Sequence, residues 1–190
     1  MKRSHALVCV SLLAAMVGCD VVTVDAPIGD PLSQAEMREF VGRWINQDSE
    51  VFDIMPGRDG RLAVGSLRWD EDAQTHQVEN NVVDARKVGD AIYFFVSGDK
   101  ANFLFTRIER TGKSEFVRCD PDANSFRKAI ASGQLEGKVI PADDDDHTIQ
   151  VKAASPLTEK AFSAERAPML FGNKDDQQIF RRIKEFDEPK

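Results

Sequence analysis

AIYFFV, residues 91–96, is the longest uninterrupted apolar run that follows the first nineteen residues of the chain. Turn-forming pairs, Gly89-Asp90 and Gly98-Asp99, bound the run on both sides, so it predicts a β-strand. Because both alternating sets of side chains are apolar, we expect both faces of this strand to be covered. A closed barrel and a sheet roofed by a helix each provide such cover.

Similar turn signals divide the residues on either side of this run. They include Pro56-Gly57, Asp59-Gly60 and Gly112-Lys113. Alternation of apolar and polar residues between the turns predicts strands at Val51–Met55, Arg61–Trp69, His76–Val88, Ala91–Val96, Asn102–Arg110 and Ser114–Cys119. Short strands at this spacing indicate a mainly β (α+β) fold built on an antiparallel meander.

Capping signals predict two or three short helices around the meander. Ser33 and Glu36 form a capping box at the start of Gln34–Val41. The other predicted elements are a helix at Ala123–Ser132 ended by Gly133, a hairpin of Gly137–Ile140 and Thr148–Ala153, a helix from Ser155-Pro156 to about Arg166, and a closing strand at Gln177–Phe186.

The first residues have the composition of an export signal. Met1–His5 is basic, and the twelve residues Ala6–Val17 are apolar except for Ser11. A membrane-spanning helix needs roughly 20 apolar residues. The run therefore predicts a signal peptide, residues 1–18, and not a transmembrane anchor.

Met16-Val17-Gly18-Cys19 resembles the lipobox of bacterial lipoproteins. The resemblance implies cleavage after Gly18, with a diacylglyceryl group and an N-acyl chain on Cys19 that palmitate would label. It implies a lipid-anchored protein of the bacterial cell envelope that faces the periplasm. Asp20 resembles the residue that retains lipoproteins in the inner membrane, which favours that membrane over the outer one.

The residues after the lipobox are predicted to form a tether. Residues 19–32 would comprise the lipidated cysteine and this tether, because Pro27, Gly29 and Pro31 accompany a stretch without helical periodicity. A single domain, residues 33–190, would follow it. A mature chain of about 170 residues is long enough for one domain with a proper hydrophobic core.

Phe40-Val41-Gly42-Arg43-Trp44 lies between the first predicted helix and the meander. This arrangement resembles the start of the lipocalin and calycin families, in which a Gly-x-Trp opens the first strand. The resemblance implies a lipocalin/calycin-like barrel in which an arginine near the final strand, Arg181 or Arg182, packs over Trp44. With its late Leu157-Thr158-Glu159 helix, the chain is similar to lipocalin-like bacterial lipoproteins, which implies no particular activity.

A barrel of about eight strands has an interior that side chains fill or that holds one small ligand. The large residues available to line a cavity are Trp44, Trp69, Tyr93, Phe95, Phe103 and Phe105. Because proteins rich in phenylalanine usually use these rings for packing, the alternative is a filled interior with Trp44 as ordinary core.

Charge limits the classes of partner. The whole chain has a formal net charge of −7, and loss of the signal removes Lys2 and Arg3 but no acid. The mature chain then has 23 basic and 32 acidic residues, a net charge of −9. This charge argues against nucleic acid or an anionic bilayer as the main partner.

Cysteine usage leaves one free thiol. Cys9 leaves with the signal and Cys19 is consumed by lipid, so Cys119 has no partner within the mature chain. A leftover cysteine in an exported protein is either reactive or buried. Burial is favoured, because Val117 and Cys119 share one face of a predicted strand.

No motif for catalysis or metal binding stands out. His76 and His147 lie in no metal-ligand spacing and beside no nucleophile. The run Asp143–Asp146 lacks the spacing of a calcium loop, which favours a solvated hairpin tip. Glu71 and Asp72 have the chemistry of a general acid and base, although turns also collect acids. We therefore expect no metal and no cofactor apart from the acyl groups.

These observations favour a binding module for a small apolar ligand or for another envelope component. The alternative is an inhibitor or immunity-type protein whose acidic surface covers a basic partner. A hydrolase that uses dispersed carboxylates is the third hypothesis.

Overall fold

The computed structural model describes residues 20–71, 73–98, 102–141, 147–172 and 177–183. The strands in these residues are β1 (Asp20–Val24), β2 (Asp30–Pro31), β3 (Gly42–Ile45), β4 (Val51–Pro56), β5 (Leu62–Asp70), β6 (Thr75–Val88), β7 (Ala91–Ser97), β8 (Phe103–Arg110), β9 (Glu115–Cys119), β10 (Gly137–Pro141), β11 (His147–Val151) and β12 (Gln178–Arg182). The helices are α1 (Gln34–Arg38), α2 (Ala123–Ala131) and α3 (Pro156–Ala161), followed by a 3-10 turn at Ala167–Met169. Within these residues, no helix has the length and apolar character needed to cross a membrane.

Eight strands form a closed antiparallel barrel. The strands from β3 to β9 each pair with the next along the chain, and β12 pairs with both β9 and β3. The closing pairs join Arg182 to Trp44 and Phe180 to Phe116. The predicted fold, an antiparallel meander that closes into a barrel with short helices, is confirmed.

AIYFFV lies in β7, where both of its faces are covered. Phe94 and Val96 point into the barrel and belong to its core. Tyr93 and Phe95 point outward and belong to a second core, between the barrel and an outer layer of helices and strands. The chain therefore uses both of the covers that the run permits, a closed barrel on one face and a helical roof on the other.

The outer layer consists of α2, α3 and a small sheet. In this sheet β1 pairs in parallel with β11, β11 pairs with β10, and Val24 joins the sheet to the barrel opposite Phe103 of β8. The second core contains Phe126, Phe162 and Phe171, which surround the outward-facing ring of Phe105. Strands β7, β8 and β9 thus contribute side chains to both cores.

The tether prediction for residues 20–31 is wrong. Asp20–Val24 forms strand β1, and Val22 and Val24 are buried in the second core. Ile28 and Leu32 are also buried, so the proline-containing segment follows the surface of the fold closely. The β-branched residues of the stretch VVTV favour a strand, and its partner β11 lies far along the chain, where local patterning does not reveal it.

Two predicted helices are shorter than expected. α1 ends at Arg38 and not at Val41, because Phe40 turns into the barrel core. α3 ends at Ala161 and not near Arg166. Just after this end, the Ser163 hydroxyl donates to the Lys160 carbonyl at 2.9 Å, and this bond competes with helical hydrogen bonding. The part of the predicted closing strand that covers residues 184–186 lies outside the described residues.

α1 is fixed to the barrel by a polar contact in its first turn and by apolar side chains beneath it. The backbone N–H of Ser33 donates to Glu36 at 2.8 Å, and the Glu36 N–H donates to the Ser33 hydroxyl at 3.3 Å, which confirms the capping box. Lys87 of β6 donates to the same carboxylate at 2.7 Å. Leu32 and Met37 are buried in the barrel core beneath the helix.

The Glu36→Gln variant is expected to lower the Tm at neutral pH and to lose this effect in acid. The Lys87 ammonium and then the two Ser33 hydrogen bonds lower the pKa of the Glu36 carboxyl to about 2. The ionised form is therefore stabilised by folding above the unfolded pKa of about 4.3, and that stabilisation is lost as the pH falls toward about 2.

Thermal unfolding followed by circular dichroism from about pH 7 to pH 2 measures the difference. The exposed Glu165, replaced in the same way, provides the control. A Tm difference between wild type and Glu36→Gln that is constant over this range would contradict the prediction.

Candidate functional site

The barrel interior is filled by side chains. Its cavity has a volume of about 40 Å³, far below the roughly 300 to 1,000 Å³ of pockets that hold drug-sized ligands. The lining residues are mostly apolar and comprise Phe52, Ile54, Val64, Val83, Phe94, Val96, Leu104, Phe105, Thr106, Ile108, Phe116, Arg118 and Phe180. In this conformation the interior has room for water-sized molecules only.

Arg118 is the charged side chain on this lining. It is 4% exposed, and its guanidinium binds the Asp120 carboxylate, with Nη2 at 2.6 Å and Nε at 3.0 Å from the two carboxylate oxygens. A buried cation needs such a partner to offset the loss of hydration. The interior charge is therefore already compensated by a residue of the same chain.

Trp44 closes one end of the barrel. Its indole N–H donates to the Phe40 carbonyl at 2.7 Å, and the Arg182 guanidinium lies over its ring at 4.6 Å. Arg182 also donates to the Val41 and Glu39 carbonyls at 2.9 and 2.6 Å. The arginine expected over Trp44 is therefore Arg182.

The surroundings of Trp44 explain why the Gly-x-Trp motif has a glycine at position 42. Gly42 has φ +138°, and a Cβ there would lie 3.3 Å from the Arg182 guanidinium, so a side chain would be strained and crowded. Arg181 points away from the barrel end and binds Glu115 at 3.1 Å. Trp44 is a core residue and does not line the interior cavity.

Most of the other predicted cavity residues lie on the opposite face of the barrel wall. Tyr93, Phe95 and Phe103 pack in or against the second core. Phe105 borders the cavity, but its ring packs against the outer layer. Trp69 is exposed on the outside of the barrel. As cavity-lining predictions these positions are wrong, except for the partial contribution of Phe105.

Apart from Phe105, the residues that line the interior were missed, although many are neighbours of the predicted ones. In β7 and β8, positions 94, 96, 104 and 106 alternate with positions 93, 95, 103 and 105. Because AIYFFV is apolar at every position, its sequence does not reveal which alternate set faces inward. The pairing of Val83 with Val96 assigns the face, and this pairing is a property of the folded sheet.

Cys119 is buried, as predicted, and is 2% exposed in the second core. Burial among apolar side chains raises the pKa of its thiol to about 11, since the thiolate would lose its hydration. At neutral pH the thiol is protonated and a poor nucleophile. The Cys119 side chain therefore contributes to packing in the second core.

The remaining candidate residues have structural surroundings. His76 packs edge-on against Trp69 at 5.0 Å, and the Nδ1 atom of His147 lies 3.1 Å from Asp20. No group of three or more potential metal ligands occurs among the residues that the structure describes. Asp143–Asp146, and Asp72 of the pair with Glu71, lie outside the described residues.

The outside of β4, β5 and β6 carries an exposed apolar surface, which we call the apolar face. Its residues point away from the barrel interior and are Met55, Leu67, Trp69, Val78 and Val82. Leu67 lies opposite Val78, and Ala63 lies between Met55 and Val82. Gly65 and Asn80 lie between these two groups on the same face. Exposed apolar side chains grouped on one face mark interaction surfaces more often than isolated ones do.

The fold and these surfaces define an antiparallel β-barrel with a filled interior, an outer layer of helices and strands, and an exposed apolar face. Comparison with known proteins finds no matching family model, no matching curated protein and no matching solved structure. The functional conclusion therefore depends on the residues of this chain.

Proposed function

We propose that this protein is a lipoprotein of the bacterial envelope that binds another envelope component on the outside of its barrel. The apolar face is the observation that carries this proposal. Val78 is 68% exposed and Trp69 is 48% exposed, although both belong to regular strands in which apolar residues usually face a core. A partner that covers this surface would remove these side chains from water.

The barrel interior supports the outside as the binding surface. A cavity of about 40 Å³ is too small for an apolar ligand of ordinary size. The charge that could orient an anionic ligand, on Arg118, is bound to Asp120. The barrel then serves as a rigid support that holds the apolar face in shape.

The proposed anchor is Cys19, in a lipoprotein that faces the periplasm. Asp20, the first described residue, lies in β1, where it binds Arg127 and His147. Acyl chains on Cys19 would therefore join the folded domain directly, without a flexible linker. Attachment by two or three acyl chains is effectively permanent, since one myristoyl chain alone gives only marginal binding. Asp20 favours the inner membrane.

The Cys19→Ser variant is expected to abolish incorporation of labelled palmitate and to leave the signal uncleaved. Metabolic labelling of cells that express the full chain, followed by electrophoresis, measures both effects. Cys9→Ser is the matched control, because Cys9 lies in the apolar run of the proposed signal and should remain labelled at Cys19. Undiminished labelling of Cys19→Ser would overturn the anchor.

Native mass spectrometry of the protein extracted from its own envelope tests the binding function. We expect a stoichiometric protein partner that is lost from the double variant Leu67→Lys/Val78→Lys. Met169→Lys is the matched control, because Met169 is also an exposed apolar residue but lies in the 3-10 turn, away from the apolar face. A small molecule retained by both variants, without a protein partner, would instead indicate that the barrel carries a ligand.

An inhibitor of a basic partner is the second candidate function. The observation that favours it is the net charge of −7 for the chain, which would attract a basic surface. Inhibition of the captured partner's own activity, measured with and without the purified protein, distinguishes an inhibitor from a passive binding module.

A further inference from the structure

Among the residues that the structure describes, one edge of β6 has no partner strand over more than half of the length of β6. β6 pairs with β5 from Thr75 to Val83, whereas its pairing with β7 begins only at Val83. Among the described residues, no strand pairs with the other edge of Thr75–Val82. We call this segment the free edge. Because the backbone groups of alternate residues bond to β5, the N–H and C=O groups of every second residue point to this edge and are available to another strand.

The free edge lacks most of the features that prevent strand pairing, and Glu79 is the acidic residue within it. Its sequence, THQVENNV, contains no proline, glycine or lysine. Its register with β5 runs without a bulge from Leu62 opposite Val83 to Asp70 opposite Thr75. Proteins normally block a long, regular edge with such residues or with a bulge. An edge of this length without proline, lysine or a bulge is suited to accept a strand with a residue of opposite charge near Glu79.

The two faces of the free edge differ in chemistry. Val78 and Val82 lie on the apolar face, beside Leu67 and Ala63 of β5. Gln77, Glu79 and Asn81 lie on the other face, which continues the inner side of the barrel wall. Because side chains alternate along a strand, a strand added here would place every second residue against the valines and the others near Glu79.

Charge distinguishes the possible occupants. Asp70, Glu71 and Glu79 lie on or near the free edge, with Arg68 as the basic residue of the neighbouring strand. A second copy would bring the same acidic residues and a second net charge of −7. A segment with basic residues would be attracted to the same surface.

We propose that the free edge of β6 accepts, by strand addition, an extended segment of another protein that alternates apolar and basic residues. The inference deepens the proposed function and rests on it, because it specifies how a partner engages the apolar face. Backbone hydrogen bonds along Thr75–Val82 would provide affinity, and the alternation would provide specificity.

The test uses the full chain and two synthetic peptides of about eight residues, the length of the free edge. One peptide alternates valine with lysine, and the control peptide alternates valine with glutamate. Calorimetry measures affinity, and hydrogen exchange measures protection of the alternate amides in Thr75–Val82 that point away from β5. We expect the lysine peptide to bind and to protect these amides, and the glutamate peptide to bind at least about tenfold more weakly.

The Val78→Lys variant is expected to weaken binding of the lysine peptide by about tenfold or more, while Met169→Lys binds it like the wild type. Equal affinity for the two peptides would overturn the basic partner, and protection that grows with protein concentration alone would show a second copy at the edge. Absence of protection with either peptide would overturn strand addition. If strand addition fails, the proposed function still stands when the Leu67→Lys/Val78→Lys variant loses its envelope partner. If that variant retains the partner, the proposed function fails as well.

Discussion

Replacement of Trp44 by alanine is expected to lower the free energy of unfolding by about 3 to 5 kcal/mol, the usual cost of removing a large buried aromatic side chain. Trp44 is 1% exposed and packs edge-on against Phe116 at 4.7 Å. The variant also leaves the Phe40 carbonyl without its indole donor and the Arg182 guanidinium without the ring beneath it. Urea denaturation followed by circular dichroism measures the loss.

Trp69→Ala is the matched control for this prediction. The same side chain is removed, but Trp69 lies on the outside of β5 and contacts His76 rather than a core. Surface substitutions of this kind usually change stability by about 0.5 kcal/mol or less. Similar losses in the two variants would contradict the assignment of Trp44 as the residue that closes the barrel.

Turn chemistry made the meander predictable from the sequence. Pairs such as Gly89-Asp90 separate segments of alternating polarity, and Gly89 has the positive φ, +59°, that such a turn requires. The observed strands between Val51 and Cys119 lie within one or two residues of the predicted ones. Local backbone requirements and local periodicity carry this information, so no knowledge of distant contacts was needed.

The non-local parts of the fold were less predictable. β1 was missed because a parallel pair with β11 leaves no hairpin or turn signal near Asp20–Val24. The cavity lining was missed for a related reason. Two apolar cores share β7, so Tyr93 and Phe94 have equally apolar surroundings and their sequence does not reveal the inner face.

The sequence pattern did not reveal the apolar face either. Trp69 was predicted to line a cavity as one of the large residues available to a barrel wall. In the hairpin of β5 and β6, however, Leu67, Trp69 and Val78 face outward, whereas Gln77 and Glu79 lie on the inner side. The same alternation of polar and apolar residues fits either arrangement, and only the pairing with the other barrel strands determines which set of side chains faces inward.

The Phe162→Ala variant is expected to destabilise the whole domain by about 3 to 5 kcal/mol, although Phe162 lies outside the barrel. Phe162 is fully buried and contacts the rings of Tyr93 at 5.2 Å and Phe105 at 5.4 Å. Its carbonyl accepts a hydrogen bond from the Tyr93 hydroxyl at 2.7 Å, and burial raises the pKa of that hydroxyl above its ordinary value. A cavity at this position weakens contacts on the outer side of β7 and β8.

Because the barrel and the outer layer share these strands, both should unfold together at a lower urea concentration. In a Trp69→Phe background, fluorescence of Trp44 reports the barrel core, and far-ultraviolet circular dichroism reports the secondary structure of the barrel and the outer layer together. Met169→Ala, at a position that is 77% exposed beyond α3, is the control and should leave both transitions unchanged. If only the circular dichroism transition moves in Phe162→Ala, the outer layer unfolds independently and the shared strands do not couple the two cores.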